Sequence, residues 1–258
     1  MTNLVTNLVH YLEQQNLGRP PQWLADNVHY LTMTGSATYG VSTDKSDLDV
    51  VGFCMPPLNL VFPHLNGEVP GFGFQTNRFE QWQEHHMNDQ RQGVEYDLTV
   101  YSLVKFFQLT MEGNPNMVDA LFTKPEHVLH MTEVGRLVRD NRELFLSKKA
   151  WHTFKGFAYS QLSRLDGKKA TKGKRADLVK KFGYDTKFAY HVVRLVTEVE
   201  QLLTEGTLEL DRWADLLKDV RNGEWTQDRV RGWFADKVEH LEVVYERSDL
   251  PYRPNQSR

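Results

Sequence analysis

Between Thr34 and Asp49 the chain reads TGSATYGVSTDKSDLD, and Val50, Val51 and Phe53 continue from it as an extended run. In a strand, side chains two apart project to the same side, so Asp47 and Asp49 converge. Two convergent carboxylates repel each other. A bound divalent cation removes that repulsion, and oxygen ligands of this kind suit magnesium. The Gly35-Ser36 turn precedes a short polar helix start, where backbone N–H groups and the helix dipole favour phosphate. A metal beside a phosphate cradle implies phosphoryl or nucleotidyl transfer. Asp, Ser and Thr also form capped turns, so the aspartate pair alone would read as a turn; the Gly-Ser ahead of it favours the chemical reading. The stretch GVSTDKSD lacks the P-loop spacing, which excludes a Walker-type ATPase.

The elements that must position these groups follow from periodicity. Leu4, Val5, Leu8, Val9 and Leu12 space like the buried face of a helix over 3–15. HYLTMTG and DVVGFCM are extended runs, and VEYDLTVYSL alternates apolar and polar residues as a strand with one polar face does. Gly and Pro punctuate the first half of the excursion from Met55 to Gly93, which predicts loops or a hairpin there, and His85 and His86 further on read as loop histidines. A helix from Ser102 to Met111 stops at Gly113-Asn114-Pro115. Further helices are expected near 116–122, 131–145, 150–165, 185–205, 211–220 and 226–247, with Trp213, Trp225, Trp233 and Tyr245 in their core. The simplest account is α+β: an N-terminal domain over 1–125 and a helical domain over 126–258.

The chain has 258 residues, enough for one large or two small domains, and a single cysteine, Cys54, which excludes an intramolecular disulfide and a cysteine-based zinc site. No run is long enough to cross a bilayer, and a reducing cytoplasm is the expected compartment. The formal net charge of −3 is unevenly spread: residues 148–194 carry +10 and the remainder −13. Such a field attracts a polyanion locally although the whole molecule is acidic. The lysines of GKKATKGKR read equally well as a solvated loop.

Taken together, TGSATYG, SDLDVVG, YDLTVYSLVKFFQL, GNPNMVDALF, FLSKKAWHTFKGFAYSQLSRL and GYDTKFAYHVVRL resemble the DNA polymerase beta-type nucleotidyltransferases. Within that superfamily they resemble the bacterial and phage family associated with RNA ligases in RNA repair, also called YcgL-like nucleotidyltransferases. The resemblance implies a catalytic domain with a mixed sheet, followed by a helical domain that binds nucleotide and acceptor. It implies three catalytic, metal-holding carboxylates: Asp47, Asp49 and one from a neighbouring strand. Asp97 takes that third place, with Glu95 a competitor on the same face by period two. Two magnesium ions, or manganese in their stead, would be the cofactors. Gly35, Ser36 and Ser46 would bind the nucleotide.

On the helix DTKFAYHVVRLVTEVEQLL, Lys187, His191 and Arg194 form one stripe beside an apolar one. The stripe could be a solvated rim, but it matches the family's K-x-x-x-H-x-x-R helix and so implies contacts to nucleotide phosphates, with Tyr184 stacking on a base or sugar and Arg164 a further phosphate contact. The expected activity is transfer of a nucleoside monophosphate from a nucleoside triphosphate to an RNA end, away from membranes and linked to an RNA ligase. A small-molecule or protein hydroxyl is the alternative acceptor, and a non-catalytic nucleotide- or RNA-binding module the third reading.

Overall fold

The computed structural model describes residues 7–42, 47–166 and 174–254. Among the described residues, β1 (Val28–Met33), β2 (Leu48–Cys54), β3 (Gln81–Asp89), β4 (Val94–Ser102) and β5 (Val128–Met131) form one sheet in the order β3-β4-β2-β1-β5. β2 and β4 run parallel and the other neighbours antiparallel, so the sheet is mixed. With the helices described below, the chain is α+β, as the sequence leads one to expect. No helix among the described residues is long and apolar enough to cross a membrane.

The chain divides into two compact units. The first comprises Met1–Ala37, Asp44–Gln108 and Thr123–Asn141; the second comprises Thr38–Thr43, Leu109–Phe122 and Arg142–Arg258. This differs from a single boundary at 125/126. The helix expected over 131–145 is present as α5 (Glu133–Asp140), whose N-cap Thr132 accepts from the Gly135 N–H, followed by a 3-10 turn at Arg142–Phe145; β5, just ahead of it, joins the sheet and is not expected from the sequence.

In the sheet unit, β4 buries Tyr96, Leu98 and Val100 and leaves Glu95, Asp97 and Thr99 half-buried. The buried side, with Val50 and Cys54 of β2 and Leu31 of β1, packs with Val9 and Leu12 of α1 (Leu8–Gln14) into one apolar cluster. Each fully buried Leu or Val there contributes about 1.5–3 kcal/mol. Asn7 caps α1 by accepting from the Val9 and His10 N–H groups.

The excursion from Met55 to Gly93 is not all loop. After the single turn α2 (Leu58–Val61), β3 returns along β4 as a hairpin. Asp89 holds its turn: the buried carboxylate accepts from the Arg91 and Gln92 N–H groups and from the Tyr11 hydroxyl at 2.6 Å. Glu84 lies opposite Leu98 and Met87 opposite Tyr96, so His85 and His86 together face Asp97. This is a β-bulge, with His86 in the left-handed region at φ 56°. The bulge shifts the alternation from Trp82 and Glu84 to Met87 and Asp89, which is why the period of two is broken in the sequence.

In the second unit α4 (Pro115–Phe122), α6 (Lys149–Leu162), α7 (Lys174–Phe182), α9 (Ala214–Arg221) and α10 (Gln227–Arg247) accompany a central helix, α8 (Thr186–Glu205); α3 (Leu103–Met111) runs from β4 towards α4. Asp185 caps α8 by accepting from the Lys187 and Phe188 N–H groups, and Gly206 ends it at φ 66°. Trp225 is buried as expected, whereas Trp213 is exposed. Lys174 and Arg175 open α7 rather than lying in a loop.

At the heart of this unit Arg194 donates to Asp119 at 2.5 Å and to both carboxylate oxygens of Glu198 at 2.9 and 3.1 Å. The Tyr39 hydroxyl donates to Asp119 at 2.6 Å and accepts from Arg194 at 2.9 Å. One guanidinium cannot neutralise two buried carboxylates. Burial pushes Glu198 well above the ordinary carboxylate value and raises Asp119 as well, so the group holds a proton to higher pH than an exposed carboxylate would. A carboxyl raised in the folded state contributes stability below its unfolded value and loses it as pH climbs through the folded one. Arg194→Ala is therefore expected to cost about 3–5 kcal/mol, because it strands buried carboxylates. Glu198→Gln is expected to be mild, under about 1.5 kcal/mol, and to flatten the decline in stability as pH rises from the ordinary carboxylate value upward. Urea unfolding of the three proteins across that range measures both effects.

Candidate active site

Asp49 and Asp97 are partners in register across the parallel pair β2–β4, flanked by Leu48↔Tyr96 and Val50↔Leu98. Val50 and Leu98 belong to the apolar cluster, so the two aspartates lie on the opposite face of the sheet. Glu95 follows on that face by period two, and Asp47 directly precedes β2. All four carboxylate residues are half-buried.

The Gly35-Ser36 turn lies against this face. Thr34 N–H donates to the Asp49 carbonyl at 2.8 Å. Gly35 has φ 73°, and a Cβ built on it would lie 2.5 Å from Asp49 Oδ2. Glycine is required there on both counts. The expected polar helix start is a single 3-10 turn, Gly35–Ala37, too short for a macrodipole, so what remains of the phosphate reading is the closeness of backbone to carboxylate. Ser36 is half-buried in that turn, and Ser46 lies outside the described residues.

The bulge adds groups that sequence reasoning set aside. His86 N–H donates to Asp97 Oδ1 at 2.7 Å, and its Nδ1 lies 2.5 Å from Glu95 Oε1. His85 Nδ1 is 3.4 Å from Asp97 Oδ1. The hydrogen bond to Glu95, then the charges of Asp97, Glu95 and Asp47, raise His86 above the ordinary histidine value. The signal was present in HHMND, where the buried position moves by one, but it is legible only once β4 is known to be the partner.

The second constellation, in the helical unit, needs correction at three positions. Tyr184 is buried and its hydroxyl donates to the Trp225 carbonyl at 2.6 Å, so it is core rather than a stacking surface. Arg194 is buried, with Nη1 tied to Asp119 and Glu198, so it is an internal cation rather than a phosphate contact. Burial first, then Arg194, Lys187, Arg175 and Arg221, push His191 well below the ordinary histidine value. Lys187 remains exposed on α8. Arg164 is exposed with its guanidinium 5.8 Å from the Phe188 ring centre, and Arg175 lies closer to the same ring while pairing with Asp185 at 3.0 Å. Lys168, Lys169 and Lys172 lie outside the described residues.

On the mixed sheet, carboxylates pair across the parallel strands β2 and β4 beside a glycine turn. The model of RlaP, the RNA repair pathway DNA polymerase beta family, matches residues 6–245, and the chain belongs to that family. Over 132 residues it is 28% identical to an uncharacterized 38.9 kDa protein of Enterobacteria phage T4, encoded in the nrdC-mobD intergenic region. That alignment takes in 50% of this chain and 36% of the phage protein, so the chain spans little more than a third of that relative. A nucleotidyltransferase-like protein from Exiguobacterium sibiricum 255-15 is 11% identical, with 92% of this chain and 73% of that one covered and a TM-score of 0.32.

The Gly35 contact has a direct consequence. Gly35→Ala is expected to leave the fold in place while displacing the Asp49 carboxylate, and misplacement of about 1 Å lowers a reaction that depends on it by about 10²-fold. Turnover measured beside a thermal melt separates that outcome from unfolding; unchanged turnover would show that Asp49 need not hold its position.

Proposed function

We propose that this protein is a divalent-metal-dependent nucleotidyltransferase that moves a nucleoside monophosphate from a nucleoside triphosphate to the hydroxyl of an RNA end, in a repair reaction completed by an RNA ligase. One observation carries the reading: Asp49 and Asp97 meet in register on a sheet face from which Gly35 withholds a side chain. Family membership supports the reaction class, and the word repair in the family's description supports RNA as the acceptor.

The donor set fits the metal. Asp47, Asp49 and Asp97 offer only oxygen atoms, the preference of magnesium, and such a set repels itself without a cation. They would hold the two ions. When bound, those ions would make the acceptor hydroxyl more acidic and offset charge on the triphosphate and the departing pyrophosphate. The chain's own residues orient the carboxylates: Thr34 binds the Asp49 backbone, and the β2–β4 ladder fixes the spacing to Asp97. Lys187, Arg164, Lys180 and Lys181 are each exposed on the helical unit and suited to phosphates of nucleotide or RNA.

Asp49→Asn and Asp97→Asn are each expected to abolish transfer of labelled nucleotide to RNA while the protein stays folded, because each removes a formal charge that metal binding needs. Glu95→Gln should be milder. Full turnover of Asp49→Asn would refute the assignment; transfer of label to a small molecule or to protein, and not to RNA, would change the acceptor.

RNA binding by the wild type should weaken with a log–log salt slope of about −0.7 per phosphate contacted. Replacing Lys180, Lys181 and Lys187 by Ala should flatten that slope. Salt-independent binding would remove RNA from the reading.

A further inference from the structure

We propose that His86, Glu95 and Asp97 form a metal site of mixed nitrogen and oxygen donors that takes manganese, or a later first-row divalent ion, in preference to magnesium. It rests on the proposed function only through Asp97, which the two sites share.

One ligand atom from each of the three residues lies within 4.8 Å of the others. Two donors on one ion with bonds of about 2.2 Å stand at most about 4.4 Å apart, so small side-chain rotations close the set. His86 is exposed and Glu95 and Asp97 half-buried, which leaves room for those rotations and for water to complete the coordination.

The placement follows from the backbone. In an unbroken strand His85 and His86 would point to opposite faces. The bulge puts both residues opposite Asp97, and the imidazole of His86 reaches Glu95. Glu95 is outside the three-aspartate set, so the imidazole and this fourth carboxylate extend the metal-binding face beyond what magnesium alone asks of it. An imidazole nitrogen favours first-row transition ions, whereas magnesium keeps oxygen ligands and its own water.

The test is binding of the metal alone, without nucleotide. Mn2+ titration followed by electron paramagnetic resonance, with Mg2+ as competitor, should find an ion held at least about tenfold more tightly as Mn2+ than as Mg2+, and a nitrogen modulation in its spin-echo spectrum. His86→Asn suits the left-handed backbone at this position, so it keeps the bulge while removing the imidazole. It should abolish the modulation and lower Mn2+ affinity by about tenfold or more, with Mg2+ affinity unchanged. Glu95→Gln should weaken the same ion. Unchanged Mn2+ affinity and no nitrogen signal would overturn the proposal and reduce His86 to a partner of Glu95. Asp49→Asn should keep the manganese ion. A wild type that binds manganese through His86 yet transfers no nucleotide would refute the proposed function and leave this site standing.

Discussion

Asp49 and Asp97 sit side by side on adjacent parallel strands, and their repulsion is the constraint around which the sheet unit is organised. Neighbouring strands lie about 4.8 Å apart. At the effective dielectric of a protein surface, two such charges oppose each other by about 3 kcal/mol. Nothing in a sheet ladder favours that pairing, so it must be imposed by what lies behind it. Val50 and Leu98, each in register with the other, bury their side chains on the reverse face among Val9, Leu12 and Leu31. A one-residue slip of β2 against β4 would separate the aspartates, but it would also turn the apolar set out of the core. The core therefore holds the carboxylates in a register they would not choose.

The helical unit meets a similar problem with different means. Asp119 and Glu198 are fully buried, and Arg194 lies between them with Tyr39 closing the group. There the compensating cation is covalently part of the chain, and burial raises both carboxyls above their ordinary values. On the sheet face the carboxylates are half-buried, so water and an external cation can reach them. One arrangement is structural because it is closed; the other is suited to chemistry because it is open.

Much of this was legible in the sequence, for reasons that differ by element. β4 shows a clean alternation because its two faces meet different environments. α8 shows both its ends, since Asp185 and Gly206 cap it by local chemistry. The spacing of Asp47 and Asp49 reads as one face of a strand, but only Asp49 lies within β2 and Asp47 directly precedes it. β3 was not legible: a bulge moves its phase by one residue, and its exposed face is polar at the edge of the sheet. β5 has only four residues, too few for any period to show. Arg194 misled for a further reason. Its helical spacing from Lys187 and His191 is real, but spacing along one helix does not reveal that Asp119, far away in sequence, will claim the guanidinium.

The distribution of charge has a last consequence for the proposed reaction. Residues 148–194 hold a +10 excess while the rest of the chain holds −13. Four half-buried acidic residues crowd the sheet face, and the bulge places His85 and His86 against Asp97 and Glu95. A triphosphate approaching this face carries charge of the same sign as the carboxylates, so the face alone repels it. Divalent ions reverse that field, because each brings two positive charges to oxygens otherwise in mutual repulsion. On the proposed reading, nucleotide therefore arrives with metal or after it, and the carboxylates that make the apo face inhospitable to phosphate are the ones that make the loaded face receptive.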